Sequence, residues 1–164
     1  MRKLILMAVL CCMTATAAKA QDVFYELLRS SKEVADDRTR DIETRKIATF
    51  KYDELCYMSM KVRDDVLRDT TDLVFFNKTV KMLNEQSFAL HEFVSLYMER
   101  LAKVRKKQSR DAIITRFRNA SIMHPLFNDM DKDLVLSYYN NENYITQFSL
   151  DTDWVKALEA VRKE

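Results

Sequence analysis

The chain has 164 residues, of which 48% are hydrophobic and 32% charged, with one proline, no glycine and a formal net charge of +2. Average usage would supply about eleven glycines. Their absence excludes phosphate loops and dinucleotide fingerprints, which need glycine for positive φ and for close approach of backbone to phosphate, and the aromatic content of 10% excludes compositional disorder.

Met1-Arg2-Lys3 is a short basic start, and Leu4 to Met13 is apolar throughout. Ten apolar residues are too few to cross a bilayer core of about 30 Å as a helix. Ala18-Lys19-Ala20 then forms an A-x-A site before Gln21. Together these residues read as a secretory signal peptide over 1–20, cleaved between Ala20 and Gln21. Leu10 before Cys11, and Cys11 before Cys12, do not suit a lipoprotein site. Residues 1–20 hold Arg2, Lys3 and Lys19 and no acid, so the expected mature chain, 21–164, carries 24 bases against 25 acids. Overall charge therefore points to neither nucleic acid nor a membrane surface. Cys56 stays as the one mature cysteine, so an exported domain must stand on its packed core rather than on disulfides.

The mature chain reads as helical nearly everywhere, from apolar residues at spacings of three and four. Asp22 suits an N-cap for a first helix with Val23, Phe24, Leu27, Leu28, Val34 and Ala35 on one side. Asp36-Asp37-Arg38-Thr39 reads as a break. A second helix is expected over about 40–67, with Ile47, Phe50, Leu55, Met58, Val62 and Val66 inward, and Asp69-Thr70-Thr71-Asp72 as a loop. Leu73-Val74-Phe75-Phe76 has strand-like residue types but no ladder partner, and is expected as a buried connector. Asn84 is expected to cap a third helix running to about Lys107, in which Leu83, Leu90, Tyr97 and Val104 recur every seven residues beside Phe93, Val94 and Leu101.

Ser109 is the expected cap of a fourth helix, with Ile113, Ile114, Phe117 and Ala120 inside and an end by His124, because Pro125 disfavours a helical residue before it. Asp131 would cap a fifth helix with Leu134, Val135, Tyr138 and Tyr139, and Asn140-Asn141-Glu142-Asn143 would end it. A last helix is expected after Asp151, with Trp154, Val155, Leu158 and Val161. The fold class is thus all-α: a single domain over 21–164, an antiparallel bundle or short helical array of about five to six helices.

No catalytic signature completes itself. His91-Glu92 begins like a zinc-protease helix, but Ser95 stands where the second histidine is needed, and His124 is the other histidine of the chain. No metal or cofactor is expected. Cys56 lies beside Asp53 and Glu54, which do not activate a thiol, and reads as a small buried hydrophobe rather than a nucleophile. A Ser-His-Asp hydrolase of the elbow type would need glycine around its serine. Asp129-Met130-Asp131-Lys132-Asp133 has the odd-position acids of a calcium loop, but Leu134 replaces its glycine and Asn140 its closing glutamate. Helix capping accounts for those acids.

Two zones carry binding chemistry. Residues 100–118 hold Arg100, Lys103, Arg105, Lys106, Lys107, Arg110, Arg116 and Arg118 against Asp111, a local net charge of +7. They read either as a patch for an anionic, phosphate-bearing partner or as a solvated turn facing the acidic 129–164 stretch. No aromatic interleaving of the kind that binds single strands accompanies them, and no nucleic acid is expected. Tyr138, Tyr139, Tyr144 and Trp154 could stack on a glycan, or close the core.

Arg45-Lys46-Ile47-Ala48-Thr49-Phe50-Lys51, Phe127-Asn128-Asp129-Met130-Asp131, Leu136-Ser137-Tyr138-Tyr139-Asn140-Asn141 and Gln147-Phe148-Ser149-Leu150-Asp151-Thr152-Asp153-Trp154 together resemble a group of small secreted helical proteins from Bacteroidota. The resemblance spans most of the mature chain. It implies location, periplasmic or extracellular, and a helical fold, but no activity. It also implies O-glycosylation at Thr70, within Asp69-Thr70-Thr71. The expected function is that of an exported, non-enzymatic binding or interaction module, monomeric and without a transmembrane span, whose partner is an envelope protein or glycan. The alternatives are a hydrolase using scattered carboxylates, and a glycan or anionic-ligand binder using the C-terminal aromatics and the basic zone.

Overall fold

A computed structural model describes residues 23–68, 73–129 and 148–163. These residues form an all-α array: α1 (23–36), α2 (Ile42–Arg68), α3 (Leu73–Lys103), α4 (Lys107–Met123) and α5 (Trp154–Arg162). There is no strand among the described residues. The expected helix after Asp131, Val66 as a side chain, the 69–72 loop and the signal peptide lie outside them.

The break after α1 is made by two aspartates. Asp37 accepts from the backbone N–H and the hydroxyl of Thr39 (2.9 and 2.6 Å), closing a turn that competes with helix. Asp41 then caps α2, accepting from Thr44 N at 2.9 Å and Thr44 Oγ1 at 2.7 Å. Glu43 adds an acid to the first turn of α2, where the helix dipole favours it.

The third helix begins eleven residues earlier than expected. Leu73-Val74-Phe75-Phe76 is its first turn, not a buried connector: Val74 is 80% exposed and Phe76 39%. Without a neighbouring strand, a helix is the conformation that satisfies the backbone locally. Asn84 is consequently inside α3 rather than at its cap. Its amide donates to Val80 O at 2.8 Å and its carbonyl accepts from Phe24 N at 3.1 Å, tying the start of α1 to α3. The helix also stops at Lys103, short of Lys107, and Arg110 Nη1 donates to Leu101 O at 3.2 Å. That bond serves one of the carbonyls a helix end leaves without partners.

The α4 helix starts at Lys107, so Ser109 is in its first turn and does not cap it. The N-cap is Lys106, in an extended conformation (φ −75°, ψ 131°) and with no side-chain cap bond. It ends at Met123, with His124 as C-cap before Pro125, as the proline rule requires. The last helix starts at Trp154, after Asp151 as expected, and is capped by Asp153.

The core sits where α5 packs on α3 and α4 while α2 closes on α3. Phe50, Met58, Phe93, Phe117, Phe148, Trp154 and Val161 are fully shielded. Six rings, Phe50, Phe93, Tyr97, Phe117, Phe148 and Trp154, meet in mostly edge-to-face pairs with centroids 5.0–6.4 Å apart. Each such pair adds about 0.5–1.5 kcal/mol beyond the area it buries. The heptad stripe on α3 faces this core: Leu90, Phe93, Val94, Tyr97 and Leu101 are buried, and Leu83 packs at its edge.

Candidate functional site

The apolar stripe of α2 carries one charged residue. Glu54 stands four residues after Phe50 and four before Met58, so the helix turns it inward with them, and it is completely buried. Oε1 accepts from Trp154 Nε1 at 2.9 Å; Oε2 has no hydrogen-bond partner among the described residues. Burial pushes this carboxyl well above the ordinary glutamate range, the indole bond opposes that shift, and the negative charge of Asp151 adds to it.

Asp151 is nearly as buried, at 4% exposure, but fully engaged. Oδ1 accepts from Leu126 N (2.9 Å) and Phe127 N (2.7 Å), and Oδ2 from Asp129 N (2.8 Å). The 126–129 turn therefore wraps a carboxylate. Its sharpness requires Asn128 at φ 51°, a left-handed conformation that asparagine tolerates when glycine is missing. Asp129 continues the chain of polar contacts: it accepts from Tyr57 Oη at 2.8 Å and pairs with Lys61. Burial, together with that hydrogen bond and the surrounding carboxylates, pushes the Tyr57 phenol far up.

A second polar joint fixes α5. Gln86 on α3 donates through Nε2 to Asp153 Oδ1 at 3.0 Å and accepts from Trp154 N at 2.7 Å. Asp153 also accepts from Lys156 N and pairs with Lys156 Nζ, and its own N–H donates to His124 O at 2.6 Å. Burial raises the Asp153 pKa, but these hydrogen bonds outweigh it and hold the group below its ordinary value.

Two adjoining grooves lie along the α2–α3 seam, and a shallow one of about 680 Å³ lies between α1 and α2. One seam groove of about 160 Å³ is bounded by Phe24, Ser59, Val62, Phe76, Thr79 and Leu83. A wider one of about 550 Å³ adjoins it, with Met82, Glu85, Leu126 and Phe127 on its walls, and shares Val62 and Thr79. Neither is lined by Glu54 or Asp151. The sealed carboxylates hold the fold, and the seam combines apolar walls with the charged Arg63, Lys78, Lys81 and Glu85.

Trp154, one of the aromatics considered for a ligand, is at 0% exposure and bonded to Glu54; it belongs to the core and cannot stack on a sugar. Tyr138, Tyr139, Tyr144 and Thr70 lie outside the described residues, as do Ala20 and Gln21. His91 faces Lys51, whose Nζ is 3.2 Å from His91 Nδ1; burial first, then the lysine charge, lowers the imidazole pKa. Cys56 is half-buried and hydrogen-bonded to Tyr52.

The basic zone is gathered at the α3–α4 turn, but much of it has structural duty. Arg110 serves the end of α3, Arg100 lies 5.6 Å over the Phe117 ring and Lys103 pairs with Glu99. Arg116 donates to Val161 O (3.0 Å) and Lys163 O (3.3 Å) at the end of α5. Arg105, Lys106 and Lys107 are exposed. No group of three or more metal-binding side chains comes together among the described residues, and no helix there is long and apolar enough to cross a membrane.

No family model, curated protein or solved structure matches the chain. Residue chemistry and geometry alone therefore carry any reading of function. Sequence patterning shows Glu54 only as a neighbour of Cys56 and Asp151 only as the residue before the last helix. The signal for Glu54 was its spacing of four from two core residues. Asp151 had no comparable signal, because its partners are backbone amides.

Proposed function

We propose that the protein is an exported envelope protein that acts by binding rather than by catalysis, with the α2–α3 seam as its docking face. The basic, apolar and A-x-A order of residues 1–20 supports export, and the resemblance to small secreted Bacteroidota proteins supports an envelope location. The observation that carries the binding reading is the pair of adjoining grooves sharing Val62 and Thr79, in which Phe76 keeps 39% of its surface in solvent. A concave apolar wall with few polar groups is the usual form of a recognition site. Its complement is an apolar side-chain cluster of a partner protein.

The test is capture from the envelope fraction with the mature protein and with Phe76→Asp. A partner held by the wild type and lost by F76D, with the thermal midpoint little changed, supports the reading. Equal capture by both, or none by either, overturns the docking face. Turnover of a substrate by the purified protein, abolished by Cys56→Ala or His91→Ala, overturns the non-catalytic assignment.

A further inference from the structure

We propose that the α3–α4 turn docks the protein on an anionic phospholipid surface, as an attachment separate from the α2–α3 seam. A groove of about 360 Å³ opens where α3 ends and α4 begins, lined by Arg100, Lys103, Val104, Ala112, Ile113 and Arg116. Its lining mixes three cations with three apolar side chains. Arg105, Lys106 and Lys107 stand exposed on the turn beside it and enter no ion pair among the described residues. The acids nearby are Glu99, paired with Lys103 at 2.5 Å, and Asp111 in the first turns of α4. Cations therefore dominate the apex.

Local stability argues against this arrangement unless an anion shares it. The α4 helix has neither a capping side chain nor an acid in its first turn, and Lys106 and Lys107 sit at the dipole's positive end. Like-signed charge there is unfavourable. A lipid phosphate relieves the repulsion, and the apolar Val104, Ala112 and Ile113 in the lining suit the glycerol and first methylenes behind it. The same features disfavour a nucleic acid: the nearest ring, Phe117, is fully buried beneath Arg100 and offers no stacking face.

The experiment is co-sedimentation of the mature protein with vesicles of phosphatidylcholine alone and with added phosphatidylglycerol. Binding to the second and not the first is expected, falling as salt rises from about 0.05 to about 0.5 M. The triple variant Arg105→Gln, Lys106→Gln, Lys107→Gln should bind on the order of a hundredfold more weakly, at about fivefold per cation. These side chains are exposed and two of them oppose the helix dipole, so the variant keeps or raises its thermal midpoint, and Lys32→Gln on α1 leaves vesicle binding unchanged. Equal binding to both vesicle types, no binding, or full binding by the triple variant overturns the proposal. So does tighter, salt-sensitive binding to a single-stranded oligonucleotide or to inorganic phosphate than to the anionic vesicles. None of these outcomes bears on the F76D test.

Discussion

Glu54 is the residue whose environment departs furthest from water. In the unfolded chain it titrates near 4.3; in the folded core burial holds its proton to higher pH. Below the unfolded value both states are protonated and the folded state is not penalised. Above it the unfolded chain releases a proton that the folded chain keeps, so stability falls as pH rises toward the raised folded pKa, by about 1.4 kcal/mol per pH unit. Glu54→Gln cannot ionise. The gap in unfolding free energy between E54Q and wild type should swing in favour of glutamine as pH rises above the unfolded glutamate value. A gap that is flat, or moves the other way, in denaturant titrations would show that the carboxyl ionises freely. Asp151 has a structural role, as an acceptor for three amides. Asp151→Ala leaves three part-buried donors without their acceptor and should cost about 2–3 kcal/mol. A loss below about 1 kcal/mol would mean that water replaces the carboxylate.

Helix positions and inward faces were legible because they follow from apolar spacing, which depends on few neighbours. Phe50, Met58, Leu90, Phe93, Tyr97 and Phe117 all face the core as their periodicity requires. Helix ends were less legible, because two of the expected caps do not cap. Asn84 is taken by Phe24 and Val80, and Ser109 is overtaken by an earlier start. The sealed polar joints were not legible at all: Glu54 and Trp154 are 100 residues apart, and Gln86 and Asp153 are 67 apart. Caps give a test at this scale. Lys106→Asp supplies the missing acceptor and removes a cation from the positive end of α4, and should stabilise the protein by about 1 kcal/mol. The same change should weaken attachment to anionic vesicles. Asp41→Ala, by contrast, should cost about 1 kcal/mol, since it strips the cap that serves Thr44. Thermal or chemical denaturation of the two variants side by side reads both signs.

At the scale of the whole molecule, α5 joins everything else. Its Trp154, Leu158 and Val161 fill the space bounded by α2, α3 and α4, and both sealed polar joints converge on its first turn. A chain ending at residue 153 should lose its cooperative thermal transition rather than shift it, because the cavity left exceeds what small cores tolerate. A sharp transition in that truncated form would show that α2–α4 fold without it. The clasp at Asp151 lies 22 to 25 residues downstream of the amides it satisfies, and the indole that meets Glu54 arrives later still. During synthesis from the N-terminal side, the earlier segments therefore hold open acceptors and donors that nothing upstream can close. These sites stay unmatched until residues 151–154 have left the ribosome, so the core locks late rather than segment by segment.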